Sequence, residues 1–170
     1  ATMEAKGCPI DMISIQNESD YTPTTTDATG EHASYESCIY SPKEMAAMVK
    51  AARAKVDPKC KIMGPECFGW GQHIYNDTLV NLPDAVENID VWGNHLYGTN
   101  DWSFVNKVTE KTGKHMWMTE FLIDYPQSGY TGAFSQEYEM VNSIETAMKA
   151  GYNGYVYYNM LKAKIGSASC

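Results

Sequence analysis

The chain has 170 residues, of which 44% are hydrophobic, and a formal net charge of −8. That length supports one domain with a packed core. The acidic balance argues against binding a phosphate backbone and fits a neutral or weakly charged ligand. No apolar run approaches the ~20 residues of a membrane helix, and no basic segment leads into an apolar one near the start, so no signal peptide is visible.

Residues 1–9 form a short lead with Gly7 and Pro9. The first predicted strand spans about Ile10–Asn17. Its nearly continuous apolar run suits a strand covered on both faces, and it delivers Gln16, Asn17 and Glu18 at its C-terminal end. Ser19–Tyr40 reads as a long polar loop without obvious structure, and loops of that length are often functional. Tyr21, Tyr35 and Tyr40 stud it. They either stack on a ligand ring or pin the loop to the body, and the sequence does not choose.

Ser41-Pro42-Lys43-Glu44 is a helix start with a capping box. Met45, Met48, Val49 and Ala52 follow at helical spacing as core, and Asp57-Pro58 ends the helix. A second strand is expected at Cys60–Gly64, leading to Pro65 and Glu66. A helix near Asp77–Asn88 is interrupted by Pro83. The third strand, Ile89–Asn94, contains Trp92 and leads to His95 and Tyr97. His95 is either a structural histidine or a site residue, and its place at a strand end favours the site. A helix over Trp102–Thr112 stops at Gly113. The fourth strand, His115–Phe121, carries Glu120 at its end. After the loop Asp124–Ala133, Ser135 caps a helix whose core face would be Tyr138, Val141, Ile144, Ala147 and Met148. The fifth strand, Gly154–Asn159, brings Tyr157. The tail Lys162–Cys170 has no clear pattern.

Strands and helices alternate, which predicts an α/β fold with a parallel sheet. Five strands and four helices amount to about half of an eight-fold barrel, which takes ~250 residues. The polar residues gather at the C-terminal strand ends, where such barrels do their chemistry. Two of them, Glu18 and Glu120, are glutamates closing apolar strands. A pair of carboxylates is what glycoside hydrolysis requires. Five cysteines (Cys8, Cys38, Cys60, Cys67 and Cys170) leave at least one unpaired. With no C-x-x-C and no close His–Cys pair they make no zinc pattern, and no metal or cofactor is expected.

Whole motifs add a resemblance. Ser-Ile-Gln-Asn-Glu at 14–18 and Trp-Met-Thr-Glu at 117–120 resemble the acid/base and nucleophile motifs of family 30 glycoside hydrolases, nearest to the xylan-cleaving branch. Tyr35-Glu36-Ser37-Cys38, Met63-Gly64-Pro65-Glu66 and His95-Leu96-Tyr97-Gly98 agree in order. The likeness runs from about Ile10 to Tyr158. One departure is Ser19, where the family pattern has proline. The resemblance implies a retaining endo-β-1,4-xylanase with Glu18 as acid/base, Glu120 as nucleophile and Asn17 bonding the 2-hydroxyl of the reacting sugar. Glu66, Trp92, His95, Tyr97 and Tyr157 complete the expected substrate-binding set, with Glu66 as a tuning carboxylate.

The first motif corresponds to the family's fourth strand and the second to its seventh. The chain thus reads as a single catalytic half barrel, residues 1–170, lacking the first three strands and the appended β-domain, either as a natural minimal enzyme or as a fragment. Glucuronate-dependent members carry an arginine after the last strand; Arg53, the sole arginine, lies on a helix, and only Lys162 and Lys164 stand near that place. The expected partner is xylan, with no nucleic acid and no membrane, and the substrate class implies secretion. Two open sheet edges and an uncovered inner face imply a homodimer. Another β-linked glycan as substrate, or a non-catalytic carbohydrate-binding half barrel, stays open as an alternative.

Overall fold

The structure is a computed structural model. It describes residues 3–22, 24–27, 30–33, 38–69, 71–98, 101–122 and 135–158. Five strands, β1 (Met12–Ser14), β4 (Lys61–Cys67), β5 (Val91–His95), β6 (His115–Glu120) and β7 (Gly154–Tyr155), form one sheet in chain order. Every neighbouring pair in it is parallel. Helices α1 (Pro42–Arg53), α2 (Gln72–Leu79), α3 (Pro83–Asn88), α4 (Ser103–Thr112) and α5 (Ser135–Ala150) fill the connections. The expected partial barrel of five parallel strands is therefore present, with five helices because Pro83 divides the predicted second helix into two.

Local chemistry accounts for these elements. In α1, the Ser41 side chain and Glu44 form the expected capping box, with Pro42 in the first turn. Met45 and Val49 are fully buried, whereas Met48 of the predicted stripe is 39% exposed. Gly113 stops α4 in a left-handed conformation, φ 67°, which glycine adopts without steric cost. Trp92, Phe104, Met116 and Met118 anchor one core between the sheet and its helices.

Several expectations change. The first strand is shorter than Ile10–Asn17: only Met12–Ser14 pairs fully, and Ile10 is half exposed because an edge strand has one neighbour. The polar loop is not structureless. Thr24–Asp27 (β2) and Gly30–Ala33 (β3) pair as an antiparallel hairpin, as β-branched threonines favour. The second sheet strand runs on to Cys67. The fifth is regular only over Gly154–Tyr155, although Val156 and Tyr158 still donate backbone bonds to Met118 and Phe121. In α5, Ala147 is buried, but Tyr138, Val141 and Met148 of the predicted core face are exposed. The loop 124–133 and the tail 162–170 lie outside the described residues.

The helices cover one face of the sheet. The other carries Met63, Gly93, Trp117 and Thr119: a Cβ on Gly93 would lie 3.0 Å from Met63 and 3.1 Å from Thr119, and Gly154 lies against the Trp117 ring. Met63, Trp117 and Thr119 are only half-buried there, so the inner face is partly open.

One glycine decides how two strand-end loops meet. A Cβ on Gly69, just after β4, would sit 1.3 Å from the Tyr97 carbonyl oxygen, after β5. Only glycine permits that approach. Gly69→Ala should therefore destabilise the fold by about 3 kcal/mol or more, read as a lower urea midpoint with an unchanged slope.

Candidate active site

Each carboxylate at the C-terminal end of the sheet stands on a backbone irregularity. Glu18 follows β1 within a turn and has φ 51°, and Glu66 has φ 55°. Non-glycine residues seldom adopt this left-handed region. Glu66 also sits where the β4–β5 register shifts between Pro65 and Cys67. A second shift, between β5 and β6, sets His95 opposite Glu120 rather than Thr119. Such bulges re-aim a side chain that strict alternation would turn to the other face.

The turn carrying Glu18 is bonded to the end of β4. The Glu18 backbone N–H donates to the Glu66 carbonyl at 2.9 Å. Ser19, where the family pattern has proline, is fully buried, and its hydroxyl donates to the Pro65 carbonyl at 2.9 Å. Tyr40 donates its backbone N–H to the Ser19 carbonyl at 2.9 Å. A hydrogen-bonded serine thus fixes this exit where a proline ring would have constrained it.

His95 is 1% exposed and lies between the two predicted catalytic glutamates. Its Nδ1 is 3.1 Å from Glu18 Oε1, and its Nε2 is 4.0 Å from Glu120 Oε2. One atom from each of Glu18, His95 and Glu120 falls within 4.8 Å of the others. A small cation would also find three ligand atoms in that arrangement. Tyr97 donates its hydroxyl to Glu120 Oε1 at 3.2 Å. Ser14 donates to Glu66 Oε2 at 2.5 Å.

Burial raises the Glu120 carboxyl above its ordinary value; His95 and the Tyr97 hydroxyl pull it down, while Glu18 and Glu66 push it up. Burial, then Glu120 itself, drives the Tyr97 phenol upward, so Tyr97 keeps its proton and acts as donor.

Asn17, Glu18, Phe68, Tyr97, Glu120, Leu122 and Tyr158 line a cleft of about 590 Å³, within the range of ligand pockets. The structure thus unites Asn17, Glu18, His95, Tyr97 and Glu120. Glu66 adjoins them through Ser14 and the Glu18 backbone. Trp92 departs from its expected place: it is fully buried on the helix side, its indole N–H donating to Asn76 Oδ1 at 2.6 Å. Strand alternation explains this, since Trp92 is one step out of phase with Gly93 on the inner face. Tyr158, not Tyr157, lines the cleft. Phe68, Leu122 and Tyr158 were missed by sequence reasoning, although Phe68 follows a strand end as the chosen residues do.

The rings of Tyr21 and Phe68 stack at 4.1 Å and those of Phe68 and Tyr97 at 5.2 Å. Tyr21 therefore pins its loop to the body. Tyr35 lies outside the described residues. Cys8, Cys38, Cys60 and Cys67 are free thiols. Arg53 bonds Asp90, the Cys60 carbonyl and the Asn88 carbonyl, which occupies it structurally.

A parallel sheet presenting paired carboxylates at its C-terminal end is the arrangement of barrel glycoside hydrolases. Comparison with known proteins relates the chain to family 30 of that class. Glucuronoxylanase XynC of Bacillus subtilis (strain 168) is 27% identical over 161 residues, 92% of this chain and 34% of that protein. The crystal structure of a GH30 endoxylanase from Clostridium papyrosolvens C71 superposes with a TM-score of 0.68 at 28% identity, covering 92% of this chain and 36% of that one. The endo-β1,6-glucanase BT3312, at 18% identity and a TM-score of 0.67, shares the fold. No family model matches the chain. The chain spans about a third of the length of the relatives it matches. Among the described residues, no helix is long and apolar enough to cross a membrane.

The electrostatics predict two opposite shifts. Tyr97→Phe removes a bond to the ionised Glu120 and should raise its titration midpoint. Glu66→Gln removes a negative neighbour and should lower it. Carbon-13 NMR titration of the Glu120 carboxyl in each variant checks both signs.

Proposed function

We propose that the chain is the carboxylate-bearing part of a retaining endo-β-1,4-xylanase. The observation that carries this reading is the approach of Glu18 and Glu120 to within 4.8 Å, oxygen to oxygen, across the C-terminal end of the sheet. Carboxyl separations of ~5–5.5 Å belong to retaining glycosidases; inverting ones need a wider gap to admit water. The xylanases among the relatives supply the substrate class.

In this reading Glu18 gives its proton to the glycosidic oxygen as Glu120 attacks the anomeric carbon. The bond to the leaving sugar breaks and a glycosyl ester forms on Glu120. Water then attacks the same carbon, Glu18 takes its proton, and Glu120 leaves as carboxylate. Tyr97 steadies the ionised Glu120, and His95 orients Glu18. Asn17, exposed on the cleft wall, is placed to bond a sugar hydroxyl. Arg53 is held by Asp90 and two backbone carbonyls, so it is not placed to bind a glucuronate branch. A polymer outside the cell implies a secreted enzyme.

Reducing ends released from xylan, cellulose and mixed β-glucan test the reading. Xylan should be the best substrate, and Glu120→Ala should retain less than about a hundredth of the wild-type rate. Higher retention would remove Glu120 as nucleophile. Preference for another glycan would change the substrate class, and no release from any would leave a carbohydrate-binding half barrel.

The working form is a homodimer. Among the described residues, edges β1 and β7 each have one neighbour, and exposed apolar residues cluster near both: Ile10 at one, Val156, Tyr158 and the outer stripe of α5 at the other. Exposed parallel edges with apolar flanks favour association. Light scattering on a sizing column should give about twice the 19.0 kDa of the chain; a monomer mass with full activity would overturn the dimer.

A further inference from the structure

We propose that Asp20 is a positioning residue that latches the Glu18 turn to the loop after β4 and, through the Phe68–Tyr97 ring stack, sets Glu120 opposite Glu18. The role of the latch in turnover rests on the xylanase reading; its mechanical part does not.

Asp20 lies two residues beyond Glu18, in the turn closed by the Tyr21 N–H donating to the Glu18 carbonyl at 3.0 Å. Its Oδ1 accepts the Phe68 backbone N–H at 2.7 Å. The Phe68 carbonyl accepts the Tyr97 N–H at 3.3 Å. The Phe68 ring is held between Tyr21 and Tyr97, nearly parallel to both at 19° and 24°. Tyr97 then reaches Glu120. A continuous series of contacts therefore runs from one working carboxylate to the other.

A half-buried carboxylate is a costly way to end a turn. Burial lifts Asp20 above its ordinary value, against the pull of the Phe68 N–H. What the carboxylate offers in return is a charge-assisted bond, stronger than a neutral one. That bond spans 48 residues of sequence, so it joins two loops rather than capping one. Asp20 does not line the cleft, so its effect should fall on geometry rather than on substrate affinity.

The test compares Asp20→Ala, which deletes the acceptor, with Asp20→Asn, which keeps an acceptor oxygen without charge, both in the full chain. Amide hydrogen exchange at Phe68 and Tyr97 is measured by NMR, and kcat and KM are measured on xylan. In Asp20→Ala both amides should exchange at least about tenfold faster. kcat should fall about 10- to 100-fold, as a misplaced reacting group predicts, with KM nearly unchanged. Asp20→Asn should restore the protection and most of kcat. Unchanged exchange at Tyr97 in Asp20→Ala, or an Asn variant no better than Ala, would overturn the latch. A chain inactive on xylan that still loosens Tyr97 in Asp20→Ala supports the latch while refuting the xylanase reading. Should Asp20→Ala fail to fold, Phe68→Leu removes the stack instead, and undiminished protection of the Tyr97 amide there would equally overturn it.

Discussion

The imidazole of His95, buried beneath the cleft, approaches Glu18 at 3.1 Å and Glu120 at 4.0 Å. Much of the site depends on that placement. A carboxylate as enclosed as Glu18 is costly to bury without a partner. A neutral imidazole carries one N–H. With it on Nε2, Nδ1 can accept a proton held on Glu18 at 3.1 Å while the N–H points toward Glu120, which also receives the Tyr97 hydroxyl. The two glutamates thus sit in different hydrogen-bonding surroundings.

That asymmetry is assembled by departures from regular structure. Had β6 continued in register, Thr119 would face His95 and Glu120 would turn toward the helices. The register shift brings Glu120 back to the inner side. The shift in β4 and the left-handed backbone do the same for Glu66, and a left-handed residue closes the β1 exit at Glu18. Backbone in such regions persists only where its surroundings over-determine it. Here the bonds Glu18 N–H to Glu66, Ser19 hydroxyl to Pro65 and Phe68 N–H to Asp20 supply that determination.

The same irregularities mark where the sequence was legible and where it was not. Apolar runs bounded by turn signals disclosed the sheet strands, and the motif at 41–44 disclosed α1 down to its cap. Glu18 and Glu120 were readable as strand-end carboxylates, and His95 by its position. Trp92 misled because position near a strand end does not give facing; its neighbour Gly93 holds the inner face, and Trp92 serves the core with Asn76. The outer stripe of α5 misled because helical periodicity reports an apolar face, not whether anything covers it. Tyr138, Val141 and Met148 have the spacing of a buried face and remain exposed. The hairpin at 24–33 was hidden by polar threonines, whose β-branching counts for more there than their hydroxyls.

In the proposed reading, Glu120 attacks a sugar whose leaving group Glu18 protonates. A 2-fluoro xylobioside with an activated leaving group addresses it directly. Fluorine destabilises the oxocarbenium-like transition states, and the good leaving group restores only the first step, so the glycosyl ester accumulates. Mass spectrometry of the intact chain should show one added fluoroxylobiosyl group, and peptide mapping should place it on Glu120. An adduct on Glu66 or Glu18, or none under conditions where the chain cleaves xylan, would contradict the account.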